Sequence, residues 1–524
     1  MPRFAALDLG SNALRLRIVE AHAPANGQSQ LSLLPEGGTA WRDVASLRAS
    51  VRLGSEVFVT GKLAAASIGQ ACAALREFRQ AMDDAKVDAY RATATSAVRE
   101  ASNGMTLVER ARREAGIELD VIEGIEEARL IQISVVRRLG LQDKKALLVD
   151  VGGGSTELTY LDKGQSAWAI SLPIGTVRLL ETYLRGAKTI TKHQQKLLIE
   201  GVDRALAEAV PHLKKLPFEI VVGTGGNVDT LFELCPLKGG FAGYPRAVDV
   251  PSMKTLLGKL FGMTTEQRRE GFGLRPDRAD TIVPAGLIFQ RVAEIFKAPA
   301  IVAPGVGLKE GILEELVDKY FDRWDKDAEA RTVIDACVRL GNRYGFDRAH
   351  GELVAQLAVS LYDDMAKYHG FGERERLLLR AAALLHDIGD YVRYDGHHKH
   401  SHYLILHSDI MGLTPDERAI VANVARYHRK SPPDASHPNF RELDKEARSK
   451  VRGLAAILRI ADALDREHLG KVKTARAEID GKGRKLTLFI SGDEERELEE
   501  WTLLAKSELL RDVFDLDVAL GPTR

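Results

Sequence analysis

Phe4–Leu9 and Leu14–Glu20 are apolar runs of strand length around a Gly-Ser-Asn turn, and the spacing predicts an N-terminal β-hairpin. Lys62–Asp84 has helical periodicity, with Leu63, Ile68, Leu75 and Phe78 apolar. A strand over Val87–Thr93, a helix over Gly104–Ala115, a short strand over Leu119–Ile122 and a helix from about Glu126 to Leu139 follow. Ala146–Val151 then opens a second series: strand, glycine turn, strand Leu158–Leu161, strand Ser166–Leu172. Helices are predicted over Thr176–Leu184 and His193–Leu213, and a strand over Glu219–Val222 ends in GTGGN with a helix behind it. The series is a repeat in architecture: DLGSN and DVGGGST each sit between two hydrophobic strands, one in each half of the first ~310 residues.

Alternating strands and helices predict an α/β class for that region. From about Lys319 strand patterns vanish and amphipathic helices such as Val354–Ala366 and Arg374–Leu385 take over, to about Leu469. The tail changes again, with strand patterns over Lys485–Ile490 and Val513–Leu520 around a helix over Glu497–Ser507. A chain of 524 residues exceeds a single core, so at least three domains are expected. Lys+Arg and Asp+Glu both number 74, which argues against a general nucleic-acid coat. Three distant cysteines form no metal or disulfide pattern, as suits a reducing compartment. No apolar run approaches the ~20 residues of a membrane span, and MPRFAALDLG enters a strand without a signal-peptide pattern. The expectation is a cytoplasmic protein that binds neither nucleic acid nor membrane.

The glycine turns raise the first chemical question. Asp150 follows a buried run and precedes Gly152, Gly153 and Gly154. Glycines let backbone N–H groups approach a ligand, and successive N–H groups form an anion site. Ser11, Asn12, Ser155 and Thr156 add donors beside the turns. Asp8 and Asp150 cannot bind phosphate but can hold a hard cation such as Mg²⁺ that bridges to it. A lone turn of this kind would be an ordinary β-turn; two Asp-x-Gly loops and a third turn, Gly223-Thr224-Gly225-Gly226, favour a phosphate-and-metal cleft.

DLGSN, DVGGGSTE and VVGTGGN are similar to the phosphate-1, phosphate-2 and adenosine-type motifs of the actin/Hsp70/sugar-kinase superfamily. LDLGSNALRL, ATATSAVREA, IEGIEEARLI, VDVGGGSTEL, PIGTVRL and GVGLKEGIL resemble, in that order, the exopolyphosphatase/guanosine pentaphosphate phosphohydrolase family. The resemblance implies two ribonuclease-H-like (actin-like ATPase) lobes, 1–128 and 129–315, then an all-α HD-type domain over 316–470 and a small α+β domain over 471–524. It also implies Glu127, on a helix linking the lobes, as general base, Asp150 and Glu157 as holders of Mg²⁺ and Arg99 as a phosphate contact. Ser11 and Asn12 would touch phosphate from the first lobe. Gly223, Gly225, Gly226 and Asn227 lie where related kinases hold adenosine, and would take guanosine or further phosphate. A homodimer is implied as well.

In the helical region His350, His386-Asp387 and Asp462 follow a His…His-Asp…Asp order that resembles the HD metal-hydrolase superfamily. That resemblance implies one divalent metal on these four residues, and imidazole with carboxylate suits Mn, Fe, Zn or Ni better than Mg. His397–His402 and His428 offer ligands for a second metal. His400, Arg426, His428, Arg429 and Lys430 have another reading, as a basic channel that feeds a linear polyanion to the cleft.

The sequence is read as a Mg²⁺-dependent phosphoanhydride hydrolase. The preferred substrate is inorganic polyphosphate, because a long helical region suits an extended polymer, and the alternative is guanosine pentaphosphate (pppGpp). A kinase, an HD-type nucleotide phosphodiesterase and an inactive nucleotide-sensing regulator are the rivals.

Overall fold

The computed structural model describes residues 1–22, 41–321, 325–480, 485–492 and 497–521. They form two compact units, Met1–Trp324 and Asp325–Arg524.

In the first unit, β1 (Arg3–Leu9), β2 (Leu14–Glu20), β3 (Arg42–Ala49), β4 (Ala89–Ala94) and β5 (Leu119–Val121) form a sheet of order β3-β2-β1-β4-β5. A second sheet contains β6 (Lys145–Val151), β7 (Thr156–Asp162), β8 (Gln165–Leu172), β9 (Ile220–Thr224), β10 (Ala247–Asp249) and β11 (Ala300–Val302), in the order β10-β11-β9-β6-β7-β8. The repeat expected from the sequence is visible in the pairing. In each sheet an antiparallel meander (β1-β2-β3, β6-β7-β8) carries a parallel strand beside its first member, β4 on β1 and β9 on β6. The helix Gly124–Leu139 runs between them, so the boundary expected at 128/129 falls inside a helix.

Strand alternation sorts the side chains of β1 and β6. Ala5, Leu7 and Leu9 pack with Ile68, Leu75, Phe78 and Leu107, whereas Phe4 and Ala6 pack with Leu130, Ile312 and Leu313. In β6, Leu147, Val149 and Val151 join one core, and Ala146 and Leu148 join Ile131 and Val135. The even-numbered face of both strands therefore meets the helix Gly124–Leu139. Asp8 and Asp150 are the next even positions.

The second unit contains the helices Lys326–Arg343, Arg348–Asp364, Glu373–Leu385, His397–Leu406, Pro415–Arg426 and Lys445–Ala463. Val354, Leu385, Val421 and Ile457 are among its buried side chains. A small sheet of β12 (Val472–Ile479), β13 (Lys485–Gly492) and β14 (Asp517–Leu520) completes it. Among the described residues no helix is long and apolar enough to cross a membrane.

Three local expectations change. The helix over His193–Leu213 is two helices, Lys192–Leu206 and Val210–Leu213, because Pro211 starts a new first turn rather than continuing the old helix. Val513–Leu520 is not one strand: a helix ends at Phe514, Asp515 turns the chain with φ 55°, and β14 begins at Asp517. β3 has no counterpart in the sequence reading, since RDVASLRA is a half-exposed edge strand without a strong apolar alternation.

Candidate active site

The sheet registers build the site. Asp150 of β6 faces Glu157 of β7 in the antiparallel pair and Thr224 of β9 in the parallel one, and Glu157 in turn faces Ser171 of β8. One row across four strands thus reads Thr224, Asp150, Glu157, Ser171. Its hydroxyls donate to its carboxylates, Thr224 Oγ1 to Asp150 Oδ1 at 2.5 Å and Ser171 Oγ to Glu157 Oε1 at 2.7 Å. The equivalent row of the first sheet reads Thr93, Asp8, Arg15, Arg48. Arg15 Nη1 lies 3.2 Å from Asp8 Oδ2, so Asp8 has a counter-ion within its own row. In the second sheet a carboxylate stands where the first has a guanidinium, and like charges opposite one another on a ladder repel.

The third carboxylate comes from the helix. Glu126 and Glu127 are adjacent and point ~100° apart around it. Glu126 pairs with Arg129 at 2.7 Å and with Arg91 at 3.2 Å, and Glu315 receives both arginines. Burial opposes ionisation of Glu126, but Arg129 and Arg91 outweigh it and hold its carboxyl below the usual range. Glu127 turns the other way: one oxygen of each of Glu127, Asp150 and Glu157 lies within 4.8 Å of the others. Glu127 Oε2 and Glu157 Oε2 have no hydrogen-bond partner. Burial, reinforced by Asp150, lifts Glu157 to about 7. Burial, opposed by the Thr224 hydrogen bond and reinforced by Asp8, lifts Asp150 to about 6. Burial and the two neighbouring carboxylates push Glu127 well above the carboxylate range. Three buried carboxylates, two of them with an unpartnered oxygen, fit a hard divalent cation.

A cavity of about 380 Å³ opens between the sheets, bordered by Asp8, Ser11, Asn12, Glu127, Asp150, Gly152, Gly153, Ser155, Gly225, Gly226 and Asn227. The two hairpin turns face each other across it: a Cβ on Gly153 would come within 2.8 Å of Ser11 Cβ. Gly154, Thr156 and Gly223 do not border it. The Thr156 hydroxyl donates to the Ile174 carbonyl at 2.7 Å. Gly154 makes room for Phe58 and Ser96, and Gly223 for Val228, Ile301 and Phe289. These three residues serve the packing of the turns and not, as expected from the sequence, contact with phosphate. Arg99 is also absent from the cavity wall. Its guanidinium donates to the Ile122 carbonyl at 2.5 Å, while its charge partly opposes the rise that burial imposes on the Glu127 and Glu157 carboxyls.

Sequence reasoning missed an arginine group on the cavity wall: Arg15, Arg48, Arg275 and Arg278. Burial and Arg15 pull Arg278 down to about 10. Gly226 leaves space for it, since a Cβ there would lie 2.1 Å from Arg278 Nη2. The four come from LRLRIVE, SLRAS and LRPDRAD, stretches with no shared motif, and only the fold collects them. The turn Gly305-Val306-Gly307 also borders the cavity.

In the helical unit His350, His386 and Asp462 offer ligand atoms within 4.8 Å of one another, as do His386, Asp387 and His428. The channel reading is corrected for His428, which is 2% exposed and faces Asp387 instead of extending a surface row. Arg426 lies against the Tyr427 ring, and His400 is half-buried.

Residues 36–320 match the Ppx/GppA phosphatase family, and residues 333–512 match Ppx/GppA phosphatase, domain III. A guanosine-5'-triphosphate,3'-diphosphate pyrophosphatase of Aeromonas hydrophila is 27% identical over 494 residues, 93% of this chain and 92% of that protein. Its Vibrio cholerae namesake is 27% identical over 519 residues, 98% and 95% of the two chains. An exopolyphosphatase structure from Cytophaga hutchinsonii aligns with a TM-score of 0.53 at 25% identity, over 60% of this chain and 98% of that one. With the matched segments covering both units, the chain belongs to the Ppx/GppA phosphatase family.

Proposed function

We propose that this chain is a phosphoanhydride hydrolase that removes the 5'-terminal phosphate of pppGpp. One observation carries the reading: Glu127, Asp150 and Glu157 converge, the two glutamates each with an unpartnered oxygen, beside two facing glycine turns. Asp150 and Glu157 would hold a magnesium ion, with Asp8 beside them, and that ion would supply positive charge to the oxygens of the terminal phosphate. Backbone N–H groups around Ser11 and of Gly153 and Ser155 cradle the same phosphate, while that of Gly152 closes the turn on the Ser155 carbonyl. Glu127 Oε2 accepts a hydrogen bond from water and holds it in line with the bridging oxygen. The water oxygen bonds to phosphorus, the bridging P–O bond breaks, and Glu127 takes the proton, leaving ppGpp and orthophosphate.

The arginine group supports a compact polyanion with charges at both ends, the second phosphate cluster lying on Arg48, Arg275 and Arg278. Retention of the helical region does not favour a polymer, because the relatives named for pppGpp extend over 93% and 98% of this chain. Inorganic polyphosphate is the second reading, supported by the exopolyphosphatase whose fold matches 60% of this chain. Phosphate release from pppGpp and long-chain polyphosphate, measured side by side, decides between them. A higher kcat/KM on pppGpp is expected; a higher value on polyphosphate overturns the order, and activity on neither sinks the hydrolase.

A further inference from the structure

The stretch PIGTVRL places the helix Thr176–Tyr183 directly behind the second glycine turn. The first N–H groups of a helix have no acceptor inside it. Here they find the carbonyls of the turn. Thr176 N donates to the Gly152 carbonyl at 3.0 Å, and Val177 N and Arg178 N donate to the Gly153 carbonyl at 2.8 and 3.1 Å. The next carbonyl in the row, that of Gly154, accepts from a side chain instead, Arg178 Nε at 2.7 Å. Gly175 permits this approach, since a Cβ there would lie 2.5 Å from the Gly153 carbonyl carbon and oxygen.

In a trans peptide unit the C=O and the N–H point in opposite directions. Anchoring the Gly152 carbonyl on the helix therefore turns the Gly153 N–H away from the helix, and anchoring the Gly154 carbonyl on Arg178 does the same for the Ser155 N–H. Gly153 and Ser155 both border the cavity. In the first sheet the backbone alone does this work: Gly54 N donates to the Ser11 carbonyl at 2.9 Å and so sets the Asn12 N–H. The second turn differs because its last peptide hangs on one side chain. That side chain is held from the other half of the unit. Arg178 Nη2 lies 2.6 and 2.7 Å from the two Glu100 carboxylate oxygens, and the guanidinium stands 4.1 Å from the centre of the Phe58 ring. Glu100 ends the helix Ser96–Glu100 after β4, and Phe58 lies on the helix Gly54–Thr60 after β3, so both belong with the first sheet.

We infer that Arg178 is a positioning residue for the hydrolysis: it fixes the Gly154–Ser155 peptide with its N–H on the terminal phosphate, and Glu100 fixes Arg178, so that the cradle on the second sheet takes its shape from contact with the first. The role rests on the reading of the cleft as a phosphoanhydride hydrolase. Arg178 does not border the cavity and touches no reacting atom, and its effect passes through one peptide unit. An N–H already aimed at the phosphoryl oxygens needs no reorganisation as charge shifts there, so its loss weighs more on kcat than on KM.

Arg178→Lys separates the grip on the turn from the charge: a methylene replaces the donating Nε, while the ammonium still reaches Glu100 and the stem still covers Phe58. The full chain with Mg²⁺ is assayed for phosphate release on pppGpp or polyphosphate, whichever the unsubstituted chain hydrolyses faster. Arg178→Lys should lower kcat by about 10²-fold and raise KM by less than about tenfold, with Mg²⁺ affinity in calorimetry unchanged. An unchanged kcat, or Mg²⁺ affinity that falls as far as kcat does, overturns the role. Glu100→Ala should lower kcat by about tenfold, and adding it to Arg178→Lys should bring no further loss, since both changes free the same peptide. An unchanged kcat in Glu100→Ala, or losses that multiply in the double variant, overturns the anchor. Titration with orthophosphate in the presence of Mg²⁺ needs no turnover: the unsubstituted chain should bind it about tenfold more tightly than Arg178→Lys, and equal affinities overturn the cradle. An unsubstituted chain that releases phosphate from neither compound sinks the hydrolase by itself, and the orthophosphate comparison then decides Arg178 alone.

Discussion

Replacing Glu157 with glutamine should make the metal-free protein more stable while it removes activity. Glu157 is 2% exposed and faces Asp150 on the neighbouring strand. Its carboxyl rises from 4.5 to about 7 through burial and through Asp150. At 1.36 kcal/mol per unit, the ionised form costs the fold about 3 kcal/mol relative to the neutral one. The sign follows from linkage: stability is complete below the unfolded value near 4.5 and is lost as pH rises through about 7. Glutamine matches the neutral form. Its oxygen can accept from Ser171, and its amide N–H₂ falls where Glu157 Oε2 has no partner. A unit of 324 residues has an unfolding entropy of about 0.7 kcal/mol per kelvin, so about 3 kcal/mol corresponds to a Tm rise of about 4 °C. The assay is thermal unfolding in chelator at pH 4.5 and pH 8, and again with Mg²⁺. A gain at pH 8 that disappears at pH 4.5 is expected, with Mg²⁺ stabilising the unsubstituted chain far more than the variant. An equal gain at both pH values, or equal stabilisation by Mg²⁺, refutes the reasoning.

Glu127→Gln should lower kcat by about 10²–10⁴ with little change in KM, whereas Glu126→Gln should leave kcat near its starting value; steady-state phosphate release separates them. Gly226→Ala drives a Cβ to 2.1 Å from Arg278 Nη2, so KM should rise more than kcat falls, and an unchanged KM would show that Arg278 holds no substrate. Glu315 is 3% exposed and accepts from Arg91, Arg129 and Lys319, so Glu315→Ala should destabilise by about 3–5 kcal/mol in urea unfolding, with activity per folded molecule retained.

The glycine turns, their strands and the change to helices near Lys319 were legible because strand alternation and helical period are local signals. The convergence of Asp8, Asp150 and Glu127 followed in part, since parity places both aspartates on the face that meets one helix. Composition could not separate Glu126 from Glu127; the resemblance named the second, and the Arg91–Arg129–Glu315 network shows where the first goes. Gly154 and Gly223 misled because a glycine needed for packing looks the same as one needed for phosphate. The four arginines stayed hidden because they lie on three separated segments. By sequence His428 fits a basic strip and a metal-ligand set equally, and its burial opposite Asp387 distinguishes the two.

The two halves of the first unit share one ladder pattern, and they differ at the residue across from the strand-end aspartate: arginine at 15, glutamate at 157. An arginine gives the aspartate a counter-ion inside its own half. A glutamate leaves an electrical debt that only something from outside can settle. A scaffold that is nearly two copies of one design thereby becomes one-sided, and the half whose carboxylates lack a counter-ion is the half where foreign positive charge is drawn in.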